Sequence, residues 1–431
     1  MRYSLIKLSF LFAFVILLAS CSKKDPVVKP QAPALAVTSL SVNSGPFGTD
    51  VIITGTGFSA TQANDQVFFN GKAATITLAT TTQITATVPQ GAGTGNVTVS
   101  VNGGTPSMGP LFTYQLSAVV TTLAGSSTSG SADGKGAAAS FSIAYGIVAD
   151  ANGNLYVSDK NDFLVRKVTP DGTVSTLAGS GTYGTADGKG SAASFSEPLG
   201  ITLDQQGNLY VADFAKNSVR QITSSGSVST VQIVSNQTGS NPVFFTPVGV
   251  AKDAANNTYV SGFWYITKLD VNGTATIFAG GSQSGLTDGG PGVATLSSPK
   301  GIKFDKNGNL FIVDGSEIRE IDSNGNVTTI AGSSTAGYAD AKGTAAKFNA
   351  PSDLAIDNNG NVYVTDTHNE LIRKIAPDGT VSTIAGSTNN SSSIDGQGPN
   401  AGFSDPNGIC IDKNGNLYVT DGNEIRKIVF E

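Results

Sequence analysis

A phrase of about fifty residues that recurs six times constrains this fold more than any other feature of the sequence. Its central motif, G-N-[LV]-[YF]-[VI], occurs five times, and a degraded copy, N-N-T-Y-V, begins at Asn256. The good copies begin at Gly153, Gly207, Gly308, Gly360 and Gly415. Successive copies start 54, 49, 52, 52 and 55 residues apart. Because such a repeat buries its apolar face only against its neighbours, six copies predict one array rather than six separate domains.

Each repeat has the pattern of a four-stranded antiparallel meander. In the copy that starts at Phe348, apolar runs at 353–357, 362–366, 371–375 and 381–384 are separated by polar turns. The turns N-N-G-N and P-D-G favour hairpins, because Asn, Asp and Gly tolerate positive φ. The second run is apolar on both faces, which suits a sheet that is covered on both sides. The sequence therefore predicts a β-propeller of six blades, each with strands a to d.

The two ends of the array predict how the propeller closes. The last copy ends with its third strand, at 425–431. The missing strand lies at the front, where V-V-T-T-L-A-G at 119–125 matches T-V-S-T-L-A-G at 173–179. We expect this first strand to complete the last blade, because the pairing removes the unpaired edges of an open sheet.

The repeat motif P-x-G-[IV]…D-x-x-G-N-[LV]-Y-V-x-D…[IV]-R-K-[IV] resembles that of NHL repeats. The resemblance covers residues 116–431, in five good copies and one poor one, and implies a six-bladed propeller. The added A-D-G-K-G motif, with a Phe before strand a, is similar to the bacterial form of the repeat.

Residues 36–114 have a different composition, rich in Thr and Val, with short alternating runs between Gly-rich turns. This pattern suits an Ig-like sandwich. The motifs G-P-F-G-T-D-V-I-I-T-G-T-G-F and V-F-F-N-G-K resemble those of IPT/TIG domains, which serve as spacers or as binding modules. The predicted fold is therefore all-β, an Ig-like β-sandwich followed by a six-bladed NHL-type β-propeller closed by an N-terminal strand.

The N-terminal segment predicts export and lipid anchoring. Residues 1–20 carry two basic residues and then an apolar run at 8–18 that is too short for a spanning helix. The sequence L-A-S-C resembles a bacterial lipobox, which implies cleavage before Cys21 and acylation of its thiol; the alternative is a secretory peptide with a chance cysteine. Residues 21–35 are a Pro-rich tether. The S-K-K-D that follows Cys21 resembles tethers of surface-exported lipoproteins, so we expect an outer-membrane protein exposed at the cell surface.

The residue types argue against most catalytic and metal chemistry. The chain has one histidine, His368, and one cysteine besides Cys21, Cys410, which we expect to be a core residue. We therefore predict no catalytic residue, no metal and no cofactor; propeller lyases of similar fold rely on several histidines. Glycoside hydrolysis by carboxylates alone stays open. A net charge of −6 without a basic stripe argues against nucleic acid as a partner.

Loop variability predicts which side of the propeller binds. The a–b and c–d turns are short and nearly identical, whereas the b–c and d–a connections vary in every copy. In a meander, the b–c and d–a connections emerge on one face, called the loop face below; the opposite side is called the turn face. Variable loops on a rigid scaffold are where binding sites are usually built.

Each good copy ends strand b with Asp and carries Arg in strand c, while the poor copy has Gly262 and Lys268. Because the two residues recur together, we expect an ion pair that fixes the b–c loop rather than a cation site. The carboxylates are Asp159, Asp213, Asp314, Asp366 and Asp421, and the guanidinium groups are those of Arg166, Arg220, Arg319, Arg373 and Arg426. The D-G pairs of the d–a loops are explained by turn formation.

The poor copy replaces a polar b–c loop by Phe263, Trp264 and Tyr265, and Trp264 is the single Trp of the chain. A repeat that breaks its own pattern is where function or strain is expected. Aromatic faces stack on sugar rings and also form hot spots for protein partners. The alternative is that the three rings only fill space. The further candidates are Phe163, Tyr183, Phe214 and Tyr338 in neighbouring loops, and Lys300 at the channel mouth.

The leading hypothesis is a non-catalytic surface lipoprotein that binds an extracellular ligand on the loop face, as a monomer or within a surface uptake complex. Glycan is the leading ligand, because the aromatic residues suit it and the chain is similar to accessory binding lipoproteins of polysaccharide-uptake systems. Two alternatives are a protein-interaction scaffold at the cell envelope, as many NHL propellers are, and a carboxylate-dependent hydrolase or lyase.

Overall fold

The computed structural model of the chain describes residues 33–234, 246–389 and 391–431. The chain divides into two compact units, one up to Tyr114 and one from Gln115 onward. The predicted signal peptide, Cys21 and most of the tether lie outside the described residues. Within the described residues, none of the helices has both the length and the hydropathy needed to span a membrane.

The first unit is a sandwich of two sheets. Alternation decides which side chains enter its core: in Asp50–Thr56, Val51 and Ile53 are buried while Ile52 between them is exposed. Phe69 and Phe112 meet edge to face in the core, with ring centroids 5.0 Å apart. In order, one sheet contains Ala36–Leu40, Asp50–Thr56, Gln83–Thr87 and Thr75–Ala79; the other contains Ser44–Gly45, Ser107–Tyr114, Gly95–Val101, Asp65–Phe69 and Lys72–Ala73. A 3₁₀ turn spans Gln62–Asn64.

The second unit consists of six antiparallel sheets in the described residues, one for each copy of the repeat. Strand a of every blade contacts strand a of the next, and blade 6 contacts blade 1, so the ring is closed. The predicted six-bladed propeller is confirmed. Strand b is the most buried strand, and all five residues of Leu209–Asp213 are buried, as its two apolar faces predict.

The strand bounds, in the order a to d, are as follows. Blade 1 has Ala144–Ala149, Leu155–Asp159, Leu164–Val168 and Thr173–Ala178; blade 2 has Pro198–Leu203, Leu209–Asp213, Ser218–Ile222 and Ser227–Thr230. Blade 3 has Pro247–Lys252, Thr258–Gly262, Tyr265–Leu269 and Ala275–Gly280; blade 4 has Pro299–Phe304, Leu310–Asp314, Glu317–Ile321 and Val327–Gly332. Blade 5 has Leu354–Ile356, Val362–Asp366, Leu371–Ile375 and Val381–Gly386; blade 6 has Pro406–Ile411, Leu417–Asp421, Glu424–Phe430 and Ala118–Gly125.

The last blade is completed by the first strand of the array. Ala118–Gly125 pairs antiparallel with Glu424–Phe430, with Val120 opposite Ile428. The predicted closure by an N-terminal strand is confirmed. Both residues of this central pair are fully buried, so the closing strand is part of the core of blade 6.

The d–a loops cover the outer edges of the blades. In blades 1, 2 and 6 the loop that precedes the blade adds a short fifth strand beside strand d of that blade. These strands are Gly134–Lys135, Gly188–Lys189 and Gly396–Gln397. Such pairing, with a lysine in two of the three, blocks edge-to-edge association. Short 3₁₀ turns lie in the loops at Gly136–Ala138, Gly190–Ala192, Phe214–Lys216, Gly343–Ala345, Thr367–Asn369 and Gly398–Asn400.

The a–b turns show why the D-x-N-G-N motif recurs. In blade 5, the carboxylate of Asp357 accepts hydrogen bonds from the backbone N–H groups of Asn359 and Asn361 and from the side-chain amide of Asn361. Gly360 has φ = 82°, a conformation that glycine adopts without strain. The motif therefore fixes a hairpin and leaves this carboxylate no role as a cation ligand.

Candidate functional site

Each of the five regular blades holds a fully buried arginine on strand c. In blade 5, Arg373 donates to Asp366 at the end of strand b and to Asp340 in the d–a loop, both at 2.6 Å. It also donates to the carbonyl groups of Ala339 and Lys347 in the same loop. We call this arrangement, one arginine between two aspartates, the arginine clamp. It ties the d–a loop to the b–c end of the blade, whereas the sequence predicts that the Asp–Arg pair fixes the b–c loop.

The clamp recurs in blades 1, 2, 4, 5 and 6. The strand-b carboxylates, all with 0% exposed side chains, lie 2.6–3.3 Å from the arginines. The d–a carboxylates lie 2.6–2.9 Å away and are half-exposed. The loop partners of Arg166, Arg220, Arg319, Arg373 and Arg426 are Asp133, Asp187, Asp288, Asp340 and Asp395, respectively. Burial raises the pKa of Asp159 to about 7 against the opposing effect of Arg166.

Sequence reasoning missed the second half of the clamp. It assigned the D-G pairs to turns, whereas the Asp of each pair accepts the arginine and, in blade 1, the hydroxyl of Thr176 on strand d. The available signal was the spacing, because Asp133 precedes Arg166 by 33 residues and Asp187 precedes Arg220 by the same number. The recurring Phe before strand a was also unexplained; Phe348 lies against the Arg373 guanidinium, 5.1 Å from centroid to Cζ.

Blade 3 has no clamp in the described residues. Gly262 replaces the strand-b aspartate, and strand pairing places Thr267, not Lys268, at the arginine position, since Thr267 pairs with Val260 as Arg373 pairs with Val364. The prediction that Lys268 replaces the arginine is therefore wrong. The connection between strands b and c has two residues in blade 3 and four in blade 5. Counting residues forward from strand b therefore does not locate the position on strand c that is equivalent to the arginine. The Thr267 hydroxyl is buried without a hydrogen-bond partner among the described residues.

The blade 3 hairpin presents a pair of aromatic rings. Phe263 and Trp264 form its two-residue turn, and their ring centroids lie 4.3 Å apart. The Phe263 side chain is 47% exposed. Trp264 and Tyr265 are both half-exposed; Tyr265, predicted to belong to the same loop, is the first residue of strand c. The ring pair on the loop face is therefore Phe263 and Trp264.

Phe263 has a backbone conformation that is unfavourable for its residue type. Its φ is 52°, and in the equivalent two-residue turns of blades 4 and 6 the same position is held by Gly315 and Gly422, with φ of 61° and 58°. A bulky residue in the left-handed region is strained by roughly 1–2 kcal/mol. Phe163 in the b–c loop of blade 1 has φ = 53° as well. Strain of this kind clusters at functional sites.

The other predicted aromatic residues are distributed over the loop face rather than gathered in one cluster. Phe163 and Tyr183 form a second pair, edge to face with centroids 5.8 Å apart, and the Lys216 ammonium lies 5.5 Å from the Tyr183 ring. Phe214 begins a 3₁₀ turn in the b–c loop of blade 2. Tyr338 lies over the Arg373 guanidinium at 5.1 Å and so belongs to the clamp of blade 5. No ring contact joins the two pairs within the part of the chain that the structure describes.

The propeller axis is nearly filled. Strand a of five blades has glycine at the axis, because a Cβ there would overlap the neighbouring blade, as at Gly408 against the carbonyl of Tyr145. Blade 5 has Asp353 at this position; its carboxylate accepts the N–H of Leu354 at 2.9 Å and lies 3.7 Å from the Lys303 ammonium. An axial cavity of about 20 Å³, room for about one water molecule, lies beside this ion pair. The channel is therefore not a passage.

Lys300 is the second residue of strand a of blade 4, at the end of the strand nearest the loop face. Its ammonium is 3.5 Å from the carbonyl oxygen of Pro351. Burial lowers the pKa of Lys300. The sequence predicts this residue at the channel mouth; it directly precedes the axial Gly301, and its backbone carbonyl accepts the hydroxyl of Ser261 on strand b of blade 3.

The described residues offer little for catalysis or metal binding. They contain no group of three His, Cys, Asp or Glu side chains that could hold a metal ion. Cys410 is buried in the core between blades, and burial raises the pKa of its thiol. His368 is exposed in the b–c loop of blade 5. What the loop face does offer is exposed aromatic rings and one lysine at its centre, which are groups for binding.

Comparison with known families agrees with both units. The model described as the IPT/TIG domain matches residues 35–114, and the model described as the NHL repeat matches residues 195–222, 348–375 and 403–424. The chain carries an IPT/TIG domain followed by NHL repeats. The model of the teneurin NHL domain matches residues 271–339, in blades 3 and 4.

Two curated relatives share part of their length with this IPT/TIG and NHL-repeat chain. Teneurin-3 of Mus musculus is 30% identical over 267 residues, which are 54% of this chain and 10% of teneurin-3. Protein SUPPRESSOR OF QUENCHING 1, chloroplastic, of Arabidopsis thaliana is 27% identical over 303 residues, 63% of this chain and 28% of that protein. The chain thus spans about a quarter or less of each relative.

Solved structures share the fold over almost the whole chain. An auxiliary nutrient binding protein from Bacteroides thetaiotaomicron superposes with a TM-score of 0.64 at 18% identity, covering 93% of this chain and 98% of that one. A second auxiliary nutrient binding protein, from Bacteroides ovatus, gives 0.59 at 20% identity with the same coverage. A putative phosphatase from B. thetaiotaomicron gives 0.63 at 18%, again with the same coverage. At these identities the likeness shows the fold alone.

Proposed function

We propose that the propeller is a non-catalytic binding module that takes an extracellular glycan on its loop face. The strained ring pair Phe263 and Trp264 carries the proposal. Glycine would remove the strain at position 263, as it does in blades 4 and 6, yet this blade presents an aromatic ring there, 47% exposed. Exposed aromatic faces stack on the apolar faces of sugar rings.

The remaining features of the chain support binding rather than turnover. The clamp carboxylates are occupied by buried arginines, so they are not available as an acid–base pair for glycoside hydrolysis. The description of two proteins of the same fold as auxiliary nutrient binding proteins agrees with a binding role. A carboxylate-dependent hydrolase would instead need two carboxyl groups facing a shared cleft.

Glycan binding is tested by affinity electrophoresis and a glycan array on the chain from residue 22 onward, with Trp264→Ala beside it. We expect retardation of the unchanged protein by at least one polysaccharide and its loss in Trp264→Ala at an unchanged melting temperature. Ser316→Ala is the matched control, because Ser316 is the second turn residue of the equivalent hairpin in blade 4. Equal retardation of all three proteins, or of none, would refute a glycan site at the ring pair and favour a protein ligand.

We further propose that a lipid on Cys21 anchors the protein in the outer membrane, with the IPT/TIG domain as a spacer at the cell surface. The lipobox-like L-A-S-C and the Pro-rich tether support this placement. We expect labelled palmitate to enter the full-length protein and not Cys21→Ser, and externally added protease to remove the propeller from intact cells. Equal labelling of both proteins would contradict the anchor, and protection from protease would contradict the surface location.

A further inference from the structure

Lys300 carries a charge that nothing in the described residues neutralises. Its ammonium has one acceptor, the carbonyl oxygen of Pro351 at 3.5 Å, and no described carboxylate oxygen lies within ion-pair distance. The side chain is half-buried at the mouth of the propeller axis. Buried charges in proteins are usually paired, because removing an ion from water without a partner is unfavourable.

Charged groups elsewhere on this strand and at the loop face make contacts of their own. Lys303, on the same strand, lies 3.7 Å from Asp353, and Lys160 lies 3.1 Å from Glu197. The carboxylate of Asp405 accepts the side-chain amide of Asn407 at 3.0 Å. Lys300 is therefore the cation of this mouth that has no partner in the described residues.

The backbone of Lys300 contacts strand b of blade 3, the strand that leads into the aromatic hairpin. The hydroxyl of Ser261 donates a hydrogen bond to the backbone carbonyl of Lys300. Ser261 is on strand b of blade 3, two residues before Phe263. The ring pair thus rises from the strand end against which Lys300 is fixed, while the Lys300 ammonium extends toward Pro351 of blade 5.

We propose that Lys300 binds an anionic substituent, a carboxylate or sulfate, of the saccharide whose ring stacks on Phe263 and Trp264. This inference rests on the proposed function and specifies its ligand as an acidic oligosaccharide. The ligand supplies the counter-ion that the described residues do not provide. A charge-assisted hydrogen bond is stronger than a neutral one.

The test measures binding of three probes by calorimetry: trigalacturonic acid, a heparin-derived tetrasaccharide, and the fully methyl-esterified trigalacturonate as the neutral form of the first. We expect the unchanged protein to bind one of the acidic probes at least about 10-fold more tightly than the neutral one, since a hydrogen bond to a charged group is typically worth 1.5–3 kcal/mol. Which acidic probe binds distinguishes carboxylate from sulfate.

Lys300→Met is the decisive variant and Lys306→Met its matched control, because Lys306 is an exposed lysine on the same blade at the opposite face. Lys300→Met should bind the acidic probe about 10-fold more weakly, bind the neutral probe as before, and melt at the same temperature or higher. Lys306→Met should bind like the unchanged protein.

Two outcomes would overturn the inference: equal affinity of the unchanged protein for acidic and neutral probes, or unchanged acidic binding in Lys300→Met. If Trp264→Ala still abolishes binding in either case, the proposed glycan site stands and only the role of Lys300 is wrong. If no probe is bound and Trp264→Ala is also without effect on the glycan array, both proposals fail.

Discussion

Blade 5 and blade 3 are copies of the same repeat, but only blade 5 has the arginine clamp in the described residues. Blade 5 keeps the full clamp, with Arg373 fully buried between two carboxylates and two loop carbonyl groups. Blade 3 has Gly262 and Thr267 at the clamp positions and a strained Phe263 in its hairpin. The blade that has no clamp in the described residues carries the Phe263–Trp264 ring pair in its hairpin, and it forms the same four strands nonetheless.

The difference shows that the clamp is not needed to form a blade. Strand pairing and the apolar core suffice for blade 3, whose Val260, Ile266 and Leu269 are buried as their counterparts are. The clamp instead ties the long d–a loops to the b–c ends of the blades, in addition to the buried apolar residues of these loops such as Phe348.

The largest expected effect is the loss of a clamp. Arg373→Met leaves the buried Asp366 without a cation, and we expect the free energy of unfolding to fall by about 3–5 kcal/mol. The measurement is urea unfolding followed by Trp264 fluorescence. Lys374→Met, one residue further on the strand and without an ion pair, should change stability by no more than about 0.5 kcal/mol. A loss below about 1 kcal/mol in Arg373→Met would mean that the clamp is dispensable in blade 5 as well.

Replacing a threonine by valine in each of the two blades should have smaller effects on the free energy of unfolding, and the two effects should differ in sign. Thr365 of blade 5 accepts the N–H of Asp353 at 3.0 Å and donates to the carbonyl of Asn407 at 2.6 Å, so Thr365→Val should cost about 1–3 kcal/mol. Thr267→Val in blade 3 removes a buried hydroxyl without a partner in the described residues and should be neutral or stabilising by up to about 1 kcal/mol. Similar losses in both variants would show that the Thr267 hydroxyl is hydrogen-bonded.

Because Phe263 is strained in the blade 3 hairpin, we expect substitutions at this turn to change the free energy of unfolding by about 1 kcal/mol. Phe263→Gly should raise the free energy of unfolding by about that amount while abolishing ligand binding, because glycine adopts φ near 52° without a clash. The reverse change in the equivalent turn, Gly315→Ala, should lower stability by a similar amount. Thermal melts of both variants provide the comparison. If Phe263→Gly is instead less stable than the unchanged protein, the Phe263 ring contributes to the stability of blade 3, and its strain is not evidence for a role in ligand binding.

The smallest expected effect is a pH dependence that separates Lys300 from the clamps. Burial lowers the pKa of Lys300 in the folded protein below its ordinary 10.5, so the unfolded chain keeps a proton that the folded one releases. Stability of the unchanged protein therefore rises, relative to Lys300→Met, as the pH climbs through the folded pKa toward 10.5. The melting temperatures of the two proteins should converge as the pH rises toward 10.5. A constant difference would mean that the ammonium is solvated or paired.

The fold could be predicted from the sequence because the same local strand and turn patterns recur in the copies of the repeat. Gly360 and its equivalents mark turns, strand b is apolar on both faces, and the match between 119–125 and 173–179 places the closing strand. These signals are local or come from comparing copies. They need no knowledge of which side chains meet across a loop.

The candidate site was predicted only in part, because its geometry depends on long-range contacts. The pairing of Asp133 with Arg166 spans a whole loop, and no local pattern distinguishes it from a turn residue. The register of blade 3 depended on the length of its hairpin, so Lys268 was assigned a position that Thr267 holds. Tyr338 was expected among free aromatic residues, whereas its ring covers Arg373. The aromatic residues predicted on the loop face therefore do not all contact one another.

The closing strand has a mechanical consequence. Any tension on the chain before Ser117 enters the propeller through Ala118–Gly125, which is paired along its length with Glu424–Phe430 in seven registered positions. Force applied along this strand loads its hydrogen bonds in shear, all together, rather than one after another. The connection that closes the ring is thus also suited to bear a pull from the N-terminal side, and the propeller would resist being drawn open by the domain that precedes it.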